Sequence, residues 1–356
     1  MTGPRVVIGA PLFNKADHVA EAVRSLLAQT YRDFALVLVD DGSTDGTLAV
    51  AERLAAGDPR VHLARNERRL GMLENTRRAF ALPRAMFPAA EFWALASDHD
   101  VWHPRWLETL VSLLDAEPGA VLAYPLTRRI DEHGRPYANA KPPWRFDSRG
   151  CADPRARMRL GFRRMAAGDM IYGLFRVSAL AAVGTYRPVL VPDRLLLSEL
   201  ALHGTFAQAG EVLWERRFRG LAELDRQRRA FFLDGAPRYT HLPWWLQHVG
   251  AFGWAYAVRG QGAGLGIGRA AGARLALDYL DVSLRHRLWR RARRLRTRAV
   301  NARNALLAPP VRAALAVPAV RGVVRRRVVP GLGAAEETLE RLVAEAERAG
   351  ARGDDR

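Results

Sequence analysis

The sequence predicts an α/β fold, in which helices cover both faces of a mostly parallel sheet, followed by a helical C-terminal region. Over residues 1–125, five short apolar segments alternate with segments of helical periodicity, which is the pattern of a parallel sheet. The chain has 356 residues, of which 49% are apolar and 26% charged, so it can bury a large core. After residue 239 the composition changes to aromatic and then arginine-rich segments.

The predicted elements follow one another without an internal repeat. The strands are predicted at 5–11, 34–40, 60–65, 91–97 and 120–125, and the helices between them at 17–29, 44–56, 72–86 and 104–117. Residues 127–169 are rich in Pro, Gly and Arg and are predicted to form a loop. Regular structure resumes at 169–184, with a helix at 192–204 and a strand at 210–218.

Composition divides the chain into two parts. Residues 1–239 are predicted to form the α/β domain, and residues 240–356 the helical, arginine-rich region. The net charge of +18 is concentrated in the second part, because residues 285–327 contain 14 arginines and no acid. The one cysteine, Cys151, excludes an intramolecular disulfide framework, and the first residues show no secretory signal. We therefore expect a cytoplasmic location.

Two adjacent aspartates end the second predicted strand. In the segment VLVDDGSTDGT, Asp40 and Asp41 close an apolar run and are followed by Gly42. A carboxylate at the carboxyl end of a parallel strand can accept hydrogen bonds from a ribose or a base, and a glycine lets a ligand approach the backbone. Turn formation is the alternative for Asp41, and an N-cap role is the favoured one for Asp45. For the adjacent pair we favour ligand binding.

A second acidic cluster, SDHDVWHP, follows the fourth predicted strand. Asp98 and Asp100 are two residues apart, so they can present carboxylate oxygens to a hard divalent cation, Mg²⁺ or Mn²⁺. Such a cation also takes diphosphate oxygens and offsets the charge of a departing nucleoside diphosphate. An ordinary solvated loop before the next helix is the alternative explanation.

Two further positions lie near the same edge of the predicted sheet. In RNERRLGMLENTRRAF, an arginine such as Arg69 can pair with a diphosphate and Asn75 can face a nucleotide pocket. For any one of Arg68, Arg69 and Arg77, a solvated helix face explains the sequence equally well. Asp193 follows Pro192 at the start of a predicted helix, and this placement is typical of an N-cap.

The segment GAPLFNKADHVAEAVRSLLAQTYRDFALVLVDDGSTDGT closely resembles the opening of family 2 glycosyltransferases, which have the GT-A fold. The resemblance is carried by Pro11, Asn14, the helix end SLLAQTYRDF and the motif VDDGSTDGT at their usual spacing. It covers residues 4–220 and leaves out the C-terminal region. It implies that residues 1–126 form a nucleotide-binding half and residues 127–239 an acceptor half.

The same resemblance implies roles for individual residues. Pro11 and Asn14 would flank the base or ribose of a nucleotide-sugar donor, and Asp41, with Asp40, would hold them. The family's acidic metal motif falls on SDHD, so Asp98 and Asp100 would bind the divalent cation.

An acid at the start of the helix 192–204 is the general base in this family. The resemblance therefore implies that Asp193 takes the proton of the acceptor hydroxyl as that hydroxyl attacks. Glu199 is the rival, but it lies about one and a half turns further along the helix.

Two positions depart from the family pattern. His99 stands where a carboxylate is common, which leaves open which two of Asp98, His99 and Asp100 contact the metal. In LWERRFRG, Arg219 stands where a histidine is frequent. An arginine cannot ligate a cation, but it can pair bidentately with a phosphate.

The C-terminal region lies outside the resemblance. Residues 239–258 carry Trp244, Trp245, Trp254 and Tyr256, and this composition suits an interfacial position better than a membrane span. The arginines of 285–327 can bind an anionic membrane surface. Docking of the region on the catalytic domain is the alternative. Nucleic acid is not an expected partner, because no recognised nucleic-acid module accompanies the charge.

The resemblance implies an inverting, hexosyltransferase-like enzyme that moves a sugar from a nucleotide-diphosphate donor to a saccharide or lipid-linked hydroxyl acceptor. Its expected place is the synthesis of a cell-envelope polysaccharide or glycolipid, peripherally on the inner face of the membrane. One alternative is a sugar-phosphate nucleotidyltransferase, which would need a glycine-rich N-terminal loop that GAPLFNKAD does not provide. The other is a non-catalytic polybasic protein that binds membrane or nucleic acid.

Overall fold

The computed structural model describes residues 3–137, 143–217 and 223–316. The strands are β1 (Val6–Leu12), β2 (Phe34–Asp40), β3 (Val61–Arg65), β4 (Phe92–Leu95), β5 (Val101–Trp102), β6 (Ala120–Ile130), β7 (Leu174–Arg176) and β8 (Thr205–Arg217). The helices are α1 (Ala16–Leu27), α2 (Thr47–Gly57), α3 (Met72–Met86), α4 (Trp106–Ala116), α5 (Pro154–Arg164), α6 (Ala167–Met170), α7 (Val177–Val183), α8 (Pro192–His203), α9 (Leu224–Phe231), α10 (Trp244–Gly253) and α11 (Arg269–Ala316).

All eight strands belong to one sheet, in the order β3-β2-β1-β4-β7-β6-β8-β5. Strands β1, β2, β3 and β4 pair in parallel, as do β6 and β8. Strand β7 runs antiparallel between β4 and β6, and β5 runs antiparallel to β8. The polar ends of β1, β2 and β4 therefore meet at one edge, which is where ligands of open α/β sheets bind.

The sheet has an apolar core on each face because successive side chains of a strand point in opposite directions. On β1, Val6 and Ile8 belong to one core together with α1, α2 and α4. Val7 belongs to the other, which contains the buried side chains of α5, α7, α8 and α10. Helix α3 lies so close to β1 that a Cβ on Gly9 would sit 1.8 Å from the carbonyl oxygen of Ala79. Only glycine fits at that position.

The predicted α/β fold with a mostly parallel sheet is confirmed, and the main error lies in 127–169. Strand β6 continues to Ile130, and α5 and α6 lie in the segment predicted as loop. The arginine-rich composition of α5 hid its apolar face, on which Met158 and Phe162 are buried. One of its arginines, Arg157, is itself buried and donates to the carbonyl oxygen of Ala201.

The chain divides into two compact units, Met1–Ser283 and Leu284–Arg356. Within the first unit, Tyr256 is completely buried and stacks on Phe252, with ring centroids 4.6 Å apart. The expected interfacial position is therefore wrong for Tyr256, whereas Trp254 is 57% exposed. Among the described residues, no helix is both long and apolar enough to cross a membrane. The arginines beyond residue 316 lie outside the described residues.

Candidate active site

Asp41 organises the edge of the sheet beyond β2. It is 2% exposed, and one carboxylate oxygen accepts from the backbone N–H of Leu70 (2.7 Å) and from the side-chain amide of Asn66 (2.8 Å). The other oxygen accepts from the N–H of Gly71, also at 2.8 Å. Three donors thus compensate a buried carboxylate and tie the strand end to the loop before α3. Gly71 has a φ of +88°, a conformation that a side chain rarely adopts.

Asn75 continues this network beneath the loop. Its amide oxygen accepts from Asn66 (2.9 Å), and its amide nitrogen donates to the carbonyl of Val39 (3.0 Å). At 2% exposure, Asn75 is a buried link between α3 and β2. Arg69, in the same loop, packs on the Phe13 ring, with its guanidinium carbon 4.1 Å from the ring centre.

Asp40 and Asn14 fix the turn that follows β2. Asp40 is fully buried and accepts from the N–H groups of Gly42 (3.1 Å) and Ser43 (3.2 Å). Asn14 has a φ of +50°, and its side-chain oxygen accepts from the N–H of Thr44 at 2.8 Å. Pro11, on β1, pairs in register with β2. Four of the predicted nucleotide-binding residues, Pro11, Asn14, Asp40 and Asp41, therefore gather at the ends of two adjacent strands.

Asp45 lies at the start of two helices. Its carboxylate accepts from the N–H of Ala16, the first residue of α1, and from the N–H of Thr47, the first residue of α2, both at 3.0 Å. Gly46 occupies the N-cap position of α2 itself. Asp45 therefore makes hydrogen bonds expected of an N-cap residue, although it precedes the N-cap position, Gly46, by one residue.

The acidic loop after β4 contacts β1 and β8. Asp98 accepts from the N–H of Phe13 through one oxygen (3.1 Å), and its other oxygen lies 2.7 Å from Nδ1 of His99. Asp100 is 2% exposed and accepts from the N–H of Arg217 at 2.7 Å. Burial raises the pKa of Asp100, and the charge of His99 opposes this shift.

The side chains that could hold a divalent cation here are those of Asp98, His99 and Asp100. The carboxylates of Asp98 and Asp100 are the hard oxygen ligands that Mg²⁺ and Mn²⁺ take. His99 adds an imidazole whose Nε2 lies 3.9 Å from Asp100. In the part of the chain that the structure describes, no group of three or more His, Cys, Asp or Glu side chains is arranged to hold a metal. One or two carboxylates plus substrate oxygens and water are the usual protein share of a Mg²⁺ site.

Tyr172 is a half-buried residue that the sequence did not single out, and charges of the acidic loop and of α8 act on it. Burial raises the pKa of Tyr172, and the carboxylates of Asp100, Asp98 and Asp193 raise it further. The charge of Arg216 acts in the opposite direction. Tyr172 is therefore within electrostatic range of both acidic groups.

Arg216 is the cation of this cluster. It forms an ion pair of 2.7 Å with Asp169, and its charge lowers the pKa values of Asp100 and Asp193. The sequence contains one indication of where Arg216 points: it is two residues after Trp214 on β8, so both side chains lie on the same face of the sheet. Tyr172 packs on the Trp214 ring, with the ring centroids 4.8 Å apart. Arg219, the predicted diphosphate ligand, lies outside the described residues.

Asp193 lies in the first turn of α8, but it is not the N-cap. The N-cap position is Val191, so that prediction is wrong. The Asp193 carboxylate accepts from the N–H of Arg194 at 2.9 Å and keeps some access to solvent. Burial raises its pKa above the ordinary value for aspartate, and the charges of Arg194 and Arg216 oppose that shift.

Glu199, the rival of Asp193, has a different environment. It is fully buried and pairs with Arg187, whose guanidinium contacts one carboxylate oxygen at 2.6 Å. A second nitrogen of Arg187 lies 3.1 Å from both oxygens. Glu199 is therefore neutralised within the core, where it joins α8 to the turn before it.

Comparison with known proteins finds a family match in the first half of the chain. Residues 7–177 match the model of the family described as glycosyl transferase family 2. The matched segment contains the Asp40–Asp41 pair and the acidic loop, whereas Asp193 and Arg216 follow it in the sequence.

Curated relatives match this chain over part of their length. The Bacillus subtilis (strain 168) protein named "Putative glycosyltransferase EpsE" is 34% identical over 116 residues, which are 32% of this chain and 40% of that protein. Chondroitin synthase of Escherichia coli is 30% identical over 137 residues, 38% of this chain and 19% of the synthase. The chain spans less than half the length of the curated relatives it matches.

Among solved structures, a mannosyltransferase from Pyrobaculum calidifontis in complex with GDP-Man and Mn²⁺ is similar to this chain with a TM-score of 0.46. The two are 18% identical, over 81% of this chain and 88% of that one.

Proposed function

We propose that this protein is an inverting family 2 glycosyltransferase, which moves a sugar from a nucleoside-diphosphate donor to a hydroxyl group of an acceptor. The observation that carries the proposal is that Asp193, whose pKa is raised by burial, and the acids of the loop after β4 all act electrostatically on Tyr172. A raised pKa makes a carboxylate a stronger base, as proton abstraction from an alcohol requires.

The reaction needs one base and one displacement. The acceptor oxygen forms a bond with the anomeric carbon of the donor sugar while the bond from that carbon to the diphosphate oxygen breaks. The hydroxyl proton passes to a carboxylate oxygen of Asp193, and the bonding electrons of the broken bond leave with the nucleoside diphosphate. A single displacement inverts the configuration at the anomeric carbon.

The departing diphosphate needs positive charge close to it. We assign Asp98 and Asp100 as ligands of Mg²⁺ or Mn²⁺, with His99 as the further candidate. When bound, the cation offsets the negative charge that develops on the leaving group. Arg217 holds this loop in place, because its guanidinium donates to the carbonyl oxygen of His99 and its N–H to Asp100. Arg219 stays a candidate for direct contact with the diphosphate.

The nucleotide would lie over the ends of β1 and β2. Pro11 and Asn14 are the proposed contacts of the base and ribose, and Asp40 would act by holding the turn beside them. Asp41 and Asn75 would act by holding the loop 66–71, from which Arg69 reaches toward the diphosphate. This division follows from the hydrogen bonds, since Asp41 already accepts three and Asn75 is buried.

We also propose that the enzyme attaches to an anionic membrane surface through residues 284–295 of α11, which belong to the second unit. Exposed side chains here include Leu284 (42%), Leu288 (67%), Trp289 (56%) and Leu295 (58%). The three leucines lie on one face of the helix by their spacing, and arginines occur between them. Exposed apolar residues on one face with arginines beside them are typical of helices that lie in the membrane interface. A lipid-linked or envelope acceptor would fit such a location.

Replacing the proposed base by its amide tests the catalytic assignment. We expect Asp193→Asn to lower kcat by about 10²–10⁴-fold with donor affinity little changed, because an amide cannot take the hydroxyl proton at neutral pH. Release of nucleoside diphosphate from a panel of UDP- and GDP-sugars measures it. Loss of donor binding with normal turnover would make Asp193 a binding residue.

The melting temperature of the same variant supplies the control for folding. Because its pKa is raised in the folded state, Asp193 binds a proton more tightly there than in the unfolded chain. Stability therefore falls as pH rises through that range and stays reduced above it. The neutral amide avoids this cost, so Asp193→Asn should melt at the wild-type temperature or higher at pH 7.

Metal binding is tested without an acceptor by thermal shift. For the wild type we expect UDP or GDP with Mn²⁺ to raise the melting temperature more than the nucleotide alone, since ligand binding to the native state stabilises it. Asp98→Asn and Asp100→Asn should each remove the Mn²⁺-dependent part. Glu215→Gln, which changes an acid of β8 that pairs with Arg128, is the control and should retain it. An unchanged Mn²⁺ effect in both aspartate variants would contradict the assignment.

Co-sedimentation with vesicles tests the membrane proposal. Vesicles of phosphatidylcholine with phosphatidylglycerol should bind the protein, and 1 M salt should release it because the Debye length falls to about 3 Å. Leu288→Glu should weaken binding, whereas Leu242→Glu, a similar change at a residue 50% exposed outside α11, should not. Equal recovery with purely neutral vesicles would contradict an electrostatic attachment.

A further inference from the structure

The backbone turn that precedes α8 is held by side chains from the C-terminal part of the first unit. The N–H of Leu190 donates to Oε1 of Gln247 at 3.0 Å, and the carbonyl oxygen of Leu190 lies 2.7 Å from Nε2 of His248. The N–H of Val191 donates to Oε1 of Gln227 at 3.0 Å. These bonds satisfy the N–H and the carbonyl oxygen of Leu190 and the N–H of Val191, the residues three and two positions before Asp193.

The turn needs this support because Val191 is strained. Its φ of +56° lies in the left-handed region, which a β-branched residue rarely enters. The following residue, Pro192, restricts Val191 further towards extended conformations. A strained conformation persists only where its surroundings impose it. Loss of the side-chain contacts would allow the turn to relax and would move the first turn of α8.

His248 is fixed as a neutral donor. It is completely buried, and burial lowers its pKa to about 3. A carbonyl oxygen can only accept, so Nε2 carries the proton that is donated to Leu190, and Nδ1 accepts from the hydroxyl of Tyr279 (2.7 Å). Tyr279 lies in α11 and contacts Phe162 of α5 edge-on, with centroids 5.0 Å apart. Side chains of α10, α11 and α5 thus hold the His248 ring in the orientation that its hydrogen bond to Leu190 requires.

Gln247 has all of its hydrogen-bonding groups in use. Its amide nitrogen donates to the carbonyl oxygens of Thr240 (3.1 Å) and Leu242 (2.8 Å), while its amide oxygen accepts from Leu190. Its orientation is therefore determined, and no rotation of the amide would satisfy the same partners. Gln247 is 5% exposed, so water does not replace these bonds freely.

We propose that Gln247 and His248 are positioning residues for Asp193, acting through the Leu190–Val191 turn. The inference rests on the proposed function, because it concerns the placement of the proposed base. It gives the segment after β8 a role in catalysis, although that segment follows the residues of the family match. Displacement of a catalytic group by about 1 Å can lower a rate 10²-fold, so the hydrogen bonds of the turn affect turnover without contact with substrate.

The test compares Gln247→Leu and His248→Phe with a matched control. Gln29→Leu removes a buried glutamine of the same pattern, which donates to the carbonyl oxygens of Ser25 and His103 and accepts from the N–H of Leu107. All three variants should lose melting temperature. Only the first two should lose kcat per folded molecule, by about 10–100-fold, with the donor KM within about threefold of wild type.

A rescue variant and hydrogen exchange separate positioning from general destabilisation. His248→Gln can place an amide N–H where Nε2 stood, and we expect it to recover most of the kcat that His248→Phe loses. Amide exchange of a peptide covering 188–196 should be faster in Gln247→Leu and His248→Phe, and unchanged in Gln29→Leu. Gln227→Leu, at a half-buried position, tests the same turn if the buried variants do not fold.

Asp193→Asn, assayed in parallel, separates the two proposals. If it is inactive while Gln247→Leu and His248→Phe keep the kcat of Gln29→Leu, the positioning inference is wrong and the base assignment stands. If Asp193→Asn retains turnover, the base assignment is wrong and the inference fails with it.

Discussion

Removal of acidic side chains from water is the physical constraint on which this site depends. Asp100 is buried and Asp193 is half-buried, and loss of solvation raises both pKa values because it disfavours a charged carboxylate. Arg216 lowers both again, and Tyr172 lies within range of the same charges. In the proposed mechanism Asp193 accepts a proton, and Asp100 is a ligand of the divalent cation. Neither property follows from the residue type alone.

The acids at this edge divide into two groups by their hydrogen bonds. Asp40 and Asp41 accept hydrogen bonds from N–H groups of the turn and loop that follow them, so their carboxylates hold the backbone in place. Asp193 accepts from its neighbour Arg194 and is otherwise placed by the turn before it. A catalytic carboxylate must keep an oxygen available, whereas a structural one is best fully satisfied. The proposed mechanism follows this division.

Sequence reasoning succeeded where periodicity and local motifs decide the structure. The buried runs at β1 and β2 and the helix 72–86 are set by local patterns, and so is the gathering of Asp40, Asp41 and Asn14 at adjacent strand ends. The sequence did not predict features that depend on contacts between residues far apart in the chain. The sequence suggested an N-cap at Asp193, but the N-cap position is Val191. The turn there is held by Gln247, which lies 57 residues after Leu190, and local patterns do not reveal such a contact. Tyr172 and Arg216 carry no motif, and only the fold brings them to the acids.

The pH dependence of kcat tests the assignment of Asp193 most directly. The base must be ionised to accept a proton, so turnover should fall as pH is lowered through its pKa. We expect the midpoint of this acid limb to lie above 3.8, the ordinary value for aspartate. Because the charge of Arg216 lowers the pKa of Asp193, Arg216→Gln should move the limb to higher pH. An acid limb at or below the ordinary value, or one that Arg216→Gln leaves in place, would contradict the account.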